Sequence, residues 1–161
     1  MGEMAQKIIG VNVKELTEIL NQAYAEEWLA YYQYWLGAKL AAGNLRTSVA
    51  AEFNEHAAEE LKHAALLAER ILQLGGTPLL SPDDWSLKAH CKYDAPTKPD
   101  TKHLVTQNLA SERCAIKRYQ EICDMCFGKD FITFHMARHI LQEEIEHEQE
   151  MEDFLADFSM L

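Results

Sequence analysis

Apolar residues recur at intervals of three and four along four long segments of the chain, a spacing that places side chains on one face of an α-helix. Gly and Pro residues interrupt the pattern near Gly43, Gly75, Pro96 and Gly128, where we expect the chain to turn. Strand signals are nearly absent. The pattern predicts four helices, at about 12–42, 46–74, 101–127 and 130–158.

The positions of these breaks predict how the helices are connected. Short turns near Gly43 and Gly128 make the first and second helices antiparallel neighbours, and likewise the third and fourth. The residues between the two hairpins, about 75–100, must cross the length of the bundle, and Pro82–Lys88 has a helix-start signature that predicts a short extra helix there. A chain of 161 residues suits one domain. We therefore expect residues 1–161 to form a single all-α, up-down four-helix bundle with one long crossover.

The net charge of −11 narrows the classes of partner. Nucleic-acid affinity is carried mostly by clustered Lys and Arg, so DNA binding is not expected. No run approaches the roughly 18 uncharged apolar residues of a membrane span, and the first residues lack a secretory signal. We expect a cytoplasmic protein without a membrane association, whose acidity either attracts cations or only maintains solubility.

Charged residues interrupt the apolar stripes of all four predicted helices. They are Glu27 in the first helix, Glu60 with His63 in the second, Glu112 in the third, and Glu144 with His147 in the fourth. The two acids of each hairpin are 33 and 32 positions apart, and a histidine follows the second acid by three positions in both. A tyrosine also follows the first acid by seven positions, as Tyr34 and Tyr119. The sequence therefore predicts two copies of one helical hairpin, with acids that converge about a pseudo-two-fold axis.

These six acids and histidines are candidate metal ligands. Residues three apart share a helix face, so each Glu-x-x-His pair offers a carboxylate and an imidazole to one point. Two such matches in a chain rich in Glu and His are barely surprising by chance, and their symmetric placement on apolar stripes is what favours a site. Buried carboxylates need counter-charge, and no Lys or Arg lies on the matching stripes, so two divalent cations would neutralise them. The oxygen-rich donor set suits Fe(II) or Mn(II). The alternative is that some of these acids are solvated at the edge of a stripe.

Four stretches of the sequence make the pattern familiar. Glu27–Tyr34 (EWLAYYQY) and Glu60–Ala64 (ELKHA) resemble bacterioferritin, whereas His90–Asp94 (HCKYD) and Ser111–Tyr119 (SERCAIKRY) resemble the Dps-like thioferritins, which belong to the ferritin-like superfamily. The resemblance covers most of the chain. It implies that Glu60 and Glu144 bridge two irons, and that the terminal ligands are Glu27, Glu112, His63 and His147.

The resemblance also implies an activity and an assembly. A thioferritin oxidises Fe(II), with hydrogen peroxide favoured over dioxygen, and stores the ferric product in a hollow shell that protects against oxidative stress. The implied content is two irons per subunit, with Mn or Zn as substitutes. Leu61 stands where bacterioferritin has its haem-ligating Met, so haem is not expected. The short segment after His147 favours twelve subunits over the alternative of 24.

Several other side chains allow more than one interpretation. Tyr34 and Tyr119 would orient the carboxylates, although a tyrosine at a core edge is common. The thioferritin pattern implies that Cys91 and Cys114 pair as a disulfide, and two reduced cysteines are the alternative. We expect Cys123 and Cys126 to pack in the core. His135 and His139 are expected on a partly exposed helix face, and the acids that line either an inner cage wall or a solvated outer face are Glu52, Glu55 and Glu59.

Two other functions compete with the ferroxidase interpretation. A rubrerythrin-like peroxidase also uses paired carboxylate hairpins, but its appended module with two CxxC knuckles has no counterpart in this sequence. A non-catalytic helical scaffold with a solvated acidic stripe is the other alternative.

Overall fold

The computed structural model describes residues 2–160, most of which are helical. Their α-helices are α1 (Glu3–Ile8), α2 (Val13–Leu40), α3 (Arg46–Gln73), α4 (Trp85–Lys88), α5 (Thr101–Cys126) and α6 (Phe131–Met160). Helices α2, α3, α5 and α6 form the bundle, and each end lies within two residues of its predicted position. The all-α bundle predicted from the pattern is confirmed.

Side-chain caps explain where three of the long helices begin. The Asn12 side chain accepts hydrogen bonds from the backbone of Lys14 and Glu15 at the start of α2. Asp100 caps α5 in the same way, and Asp130 accepts from two backbone N–H groups of α6 at 3.1 Å. Such caps satisfy backbone donors that lack a partner within the helix. Asp130 also pairs with the buried Arg70 of α3 at 2.8 Å, which ties the start of α6 to the end of α3.

The crossover between the two hairpins lies along α2. It contains a 3₁₀ turn at Pro82–Asp84 that leads into α4, so the predicted short helix is present. Trp85 of α4 stacks on Trp28 of α2, with ring centroids 4.9 Å apart. At the far end of the crossover, the backbone of Ala42 exchanges hydrogen bonds with Pro99 and Thr101. These contacts hold the crossover against one side of the bundle.

The apolar core is divided into two clusters. One cluster includes Leu16, Leu20, Leu67 and Ile71, and the other is built around Phe53. Cys123 and Cys126 are buried in the first cluster as free thiols, consistent with a packing role. The acids and histidines singled out above lie between the clusters, in the middle of the bundle.

The N-terminal helix α1 was not predicted. It has six residues and none of them is buried, so it carries no apolar periodicity that could indicate it. Within residues 2–160, no helix is both long and apolar enough to cross a membrane.

Candidate metal centre

The structure brings all six predicted ligands together in the middle of the bundle. Each is no more than 2% exposed. Their ligand atoms form two overlapping groups, within each of which the atoms lie within 4.8 Å of one another: Glu27, Glu60, His63 and Glu144 form one group, and Glu60, Glu112, Glu144 and His147 the other. Glu60 and Glu144 belong to both groups.

Helical spacing aims the histidines at the carboxylates. His63 lies three residues after Glu60 on α3, and its Nδ1 is 3.1 Å from Glu60 and 3.2 Å from Glu144. His147 has the same relation to Glu144 on α6, with Nδ1 at 3.5 Å. Each hairpin therefore presents one imidazole nitrogen to the shared pair of carboxylates.

Two tyrosines hold the remaining acids. Tyr34 of α2 donates a hydrogen bond to Glu112 of α5, and Tyr119 of α5 donates one to Glu27 of α2. Burial, reinforced by Glu112 for Tyr34 and by Glu27 for Tyr119, raises the pKa of each phenol well above its ordinary value. Both tyrosines therefore stay protonated donors, and each links one hairpin to the other.

Two further glutamates orient the histidines, a role that the sequence did not predict for either of them. The outward Nε2 of His63 lies 2.8 Å from Glu143, and that of His147 lies 2.9 Å from Glu59. A carboxylate on the second ring nitrogen fixes the tautomer and orientation of a metal-binding imidazole. The sequence does contain a signal for this role, because Glu59 and Glu143 directly precede the acid of each Glu-x-x-His pair. Both helical hairpins therefore carry the motif Glu-Glu-x-x-His.

The concentration of carboxylates shifts the pKa values of the centre. Burial and the nearby Glu144 raise the pKa of Glu60 well above its ordinary value, and the same two causes raise that of Glu112 to about 7. Burial opposes protonation of His63 and His147, but their carboxylate neighbours still raise both pKa values. Protons therefore supply the positive charge that the centre needs when no cation supplies it.

Unpaired buried atoms test whether divalent cations fit this centre. Among residues 2–160, the buried atoms that make no hydrogen bond include Glu27 Oε2, Glu60 Oε1, both carboxylate oxygens of Glu144, and His147 Nδ1. A buried polar atom without a partner costs about 1–3 kcal/mol. Four carboxylates and two imidazoles that point inward match two divalent cations in charge and in donor type. The residues therefore fit a two-metal site.

An acidic funnel between α3 and α6 borders one side of the centre, where His147 contributes to its wall. We use this name for a cavity of about 170 Å³ that is lined by Glu52, Glu55, Glu59, Glu143, Glu146 and Glu150, with His56 and His147. Glu52, Glu55 and Glu59, for which the sequence allowed either an inner cage wall or a solvated outer face, all line this funnel. His56 stacks on His147 with ring centroids 4.0 Å apart, and burial with the neighbouring His147 lowers its pKa to about 4. His56 is therefore neutral near pH 7.

The opposite side of the centre is covered by the crossover. We call this side the crossover face; the residues that border its cavity of about 10 Å³ include Ala30, Cys91, Ser111 and Ala115. Such a volume holds about one water molecule. Cys91 of the crossover and Cys114 of α5 form a disulfide at this face, with Cα atoms 5.8 Å apart.

A buried ion pair reinforces the crossover face. The carboxylate of Glu26 accepts two hydrogen bonds from the guanidinium of Arg118, both at 3.1 Å. The same carboxylate accepts hydrogen bonds from the backbone N–H groups of His90 and Cys91. The disulfide therefore attaches the crossover to α5, and two backbone hydrogen bonds attach it to Glu26 of α2, which is itself paired with Arg118 of α5.

His135 and His139 lie outside the centre. Both are exposed on α6, and neither belongs to a metal-ligand group among residues 2–160. His139 has Glu143 as its acidic neighbour, at 3.6 Å.

The fold and the carboxylate–histidine centre define a class, and comparison with known proteins agrees. The chain belongs to the ferritin-like family: residues 17–161 match the Ferritin-like domain. It is similar to a dodecameric thioferritin of Bacteroides fragilis, a bacterioferritin-related protein, at 50% identity over 99% of this chain and 96% of that one, with a TM-score of 0.97. It is 35% identical over 148 residues to the DNA protection during starvation protein of Pyrococcus furiosus, covering 91% of this chain and 80% of that protein.

A third comparison supports the fold alone. Dps of Thermosynechococcus elongatus superposes with a TM-score of 0.84 at 21% identity, over 88% of this chain and 90% of that one. The resemblance to ferritin-like proteins of the Dps and thioferritin kind, inferred from short motifs, is confirmed.

Proposed function

We propose that this protein is a ferroxidase and iron-storage protein that oxidises Fe(II) at the six-residue centre and protects against oxidative stress. The observation that carries the proposal is the pair of overlapping ligand groups that share Glu60 and Glu144. Membership in the ferritin-like family, whose structures include di-iron-carboxylate proteins, supports the same conclusion.

The geometry suggests a role for each ligand. Glu60 and Glu144 lie in both groups, so they would bridge two iron ions. Glu27 with His63 would complete one ion, and Glu112 with His147 the other. The proposed capacity is two irons per subunit, and Mn(II) or Zn(II) would fit the same mixed oxygen and nitrogen donors.

The protein contributes orientation and charge to the reaction. Two Fe(II) ions, the substrate, each lose one electron to become Fe(III), and hydrogen peroxide takes up both electrons and two protons to form two molecules of water. Tyr34 and Tyr119 hold Glu112 and Glu27 in place, while Glu59 and Glu143 hold the histidine rings. The preference for peroxide over dioxygen rests on the resemblance to thioferritins and remains part of the proposal.

We further propose a homo-oligomeric cage of twelve subunits, with 24 as the alternative. The Bacteroides fragilis protein at 50% identity is dodecameric, which supports the smaller shell. Light scattering tests the number of subunits, and a dimer would contradict the storage cage and favour the rubrerythrin-like peroxidase.

The cytoplasmic location stays a prediction. A disulfide such as Cys91–Cys114 would be unusual in that compartment.

Iron titration of the purified protein tests the proposed centre. Fe(II) is added anaerobically in steps, and ferric absorbance is followed after dioxygen or hydrogen peroxide is introduced in separate runs. The wild-type protein should saturate at two irons per subunit, and a Glu60→Ala, Glu144→Ala variant should lose both ions and nearly all rapid oxidation. A Glu121→Ala, Glu152→Ala variant makes the same chemical change at exposed positions of α5 and α6 and serves as the control. Full binding and oxidation in the Glu60 and Glu144 variant would contradict the assignment.

A further inference from the structure

A second set of metal-ligating side chains converges outside the six-residue centre. His56 Nε2 lies 2.7 Å from a carboxylate oxygen of Glu150 and 3.5 Å from one of Glu52. One ligand atom from each of the three residues lies within 4.8 Å of the other two. The imidazole is only 1% exposed, whereas the side chains of Glu52 and Glu150 are 30% and 46% exposed. The group is therefore anchored in the core and open to solvent on its carboxylate side.

Helical spacing explains why these three side chains meet. Glu52 and His56 are four residues apart on α3 and share one helix face. Glu150 lies three residues after His147 on α6, so it projects from the same face as that histidine, one turn along. The group thus repeats the composition of one half of the centre, an imidazole with carboxylates from two helices, about one turn farther along the bundle.

The group lies in the acidic funnel and touches the six-residue centre. All three residues line the funnel. The ring of His56 is nearly parallel to that of His147, with an interplanar angle of 19°. Among residues 2–160, His56 makes no hydrogen bond through Nδ1. The polar contacts of the ring are therefore all directed through Nε2 toward the carboxylates of this group.

We propose that Glu52, His56 and Glu150 bind a third divalent cation, separate from the two ions of the centre. Two carboxylates balance the charge of one dication, and a nitrogen donor with oxygen donors selects Fe(II), Mn(II) or Zn(II) over Mg(II) and Ca(II). Three protein ligands leave coordination positions for water, so the ion is exchangeable. The identity of the ion rests on the proposed function, under which it would be Fe(II) held in the funnel before it reaches the centre.

Zinc binding to the metal-free protein tests the site without any redox chemistry. The test compares Zn(II) stoichiometry, by isothermal titration calorimetry, with anomalous difference maps of zinc-soaked crystals. We expect three zinc ions per subunit in the wild type, one of them about 2.0–2.1 Å from His56 Nε2. Glu52→Gln, Glu150→Gln should bind one ion fewer and lose that peak. Because both carboxylates are partly exposed, this variant should fold.

Two matched variants make the result decisive. Glu55→Gln, Glu146→Gln removes the same charge from the same funnel but spares the three ligands, so it should retain all three ions. Glu60→Ala, Glu144→Ala should keep the peak at His56 alone. An unchanged stoichiometry in the Glu52 and Glu150 variant, or no peak at His56 at saturating zinc, would mean that the three residues form a hydrogen-bonded group only. Failure of wild-type iron oxidation would overturn the proposed function but would leave the zinc result intact.

Discussion

The two faces of the candidate metal centre differ although the centre itself is nearly symmetric. Toward α3 and α6 it borders the acidic funnel of about 170 Å³, which six glutamates line. Toward α2 and α5 it meets the crossover, which leaves a cavity of about 10 Å³. On that face the acid Glu26 is already paired with Arg118. The internal repeat relates one hairpin to the other and cannot supply a second crossover, so only one face is covered.

This difference suggests that the two faces do separate work. Clustered carboxylates in a cleft raise the local concentration of cations, so under the proposed function the funnel would be the entrance for Fe(II). A face closed by a disulfide and a buried ion pair stabilises the bundle instead. Four experiments test the two faces and the centre between them, beginning with the largest expected effect.

Removal of the Glu26 carboxylate should cause the greatest loss of stability. Glu26→Ala leaves Nε and Nη2 of the buried Arg118 and two backbone N–H groups of the crossover without their acceptor. Breaking a buried ion pair in this way costs about 3–5 kcal/mol. Chemical denaturation followed by circular dichroism measures the change in unfolding free energy.

The control for that experiment removes the other acidic partner of the same arginine. Glu121 pairs with Arg118 at 2.7 Å, but its side chain is 55% exposed. Glu121→Ala should therefore cost no more than about 1 kcal/mol. Equal losses in the two variants would refute a special role for Glu26 in attaching the crossover.

Reduction of the Cys91–Cys114 disulfide should have the next largest effect. The bond closes a loop across a sequence separation of 23 residues. The chain-entropy estimate gives about 3 kcal/mol for a loop of that size. Unfolding with and without a phosphine reductant measures it, and a Cys91→Ser, Cys114→Ser variant should show no response to the reductant. Identical unfolding of the wild type with and without the reductant would show that the disulfide does not contribute to the free energy of unfolding.

The metal-free protein should lose stability as the pH rises above neutrality. Burial would lower the pKa values of His63 and His147, but hydrogen bonds to Glu144 and other carboxylates raise them in the folded chain. Above the unfolded pKa of about 6.5, the folded state therefore binds more protons than the unfolded state, and the free energy of unfolding falls with pH until the folded pKa is passed. Calorimetry from about pH 7 to about pH 9 should show a falling transition temperature, by several degrees.

Metal loading provides the comparison for the pH experiment. Bound divalent cations would replace the protons at the centre, so the loaded protein should lack this decline. A metal-free transition temperature that rises over the same pH range would contradict the expected sign.

Partial neutralisation of the funnel should have the smallest effect, on rate alone. Glu55→Gln, Glu146→Gln removes two of six carboxylates without touching a candidate ligand. Stopped-flow measurements should show initial Fe(II) uptake slowed a few-fold at low ionic strength, with the difference lost at about 1 M salt, where the Debye length is about 3 Å. A Glu121→Gln, Glu152→Gln variant carries the same charge change elsewhere. A slowdown equal to that of the funnel variant would mean that total charge matters and the funnel does not.

The sequence by itself determined the helices and the six members of the candidate centre. Apolar periodicity, the Gly and Pro breaks, and caps such as Asn12 and Asp100 act within a few residues, so they can be read without knowledge of the fold. The internal repeat extended this local information to Glu27 and Glu112, which have no histidine beside them. Helix α1 was missed because it has no buried face to produce a pattern.

Tertiary structure alone decided the contacts that cross between helices. Glu59 lies beside Glu60 on α3 but orients His147 of α6, and Glu143 does the same for His63 of α3. His56 occupies an apolar stripe in the sequence, and only the packing of α6 against α3 brings Glu150 to its ring. Such pairings depend on the register and distance of packed helices, and side-chain spacing along one helix carries no information about either.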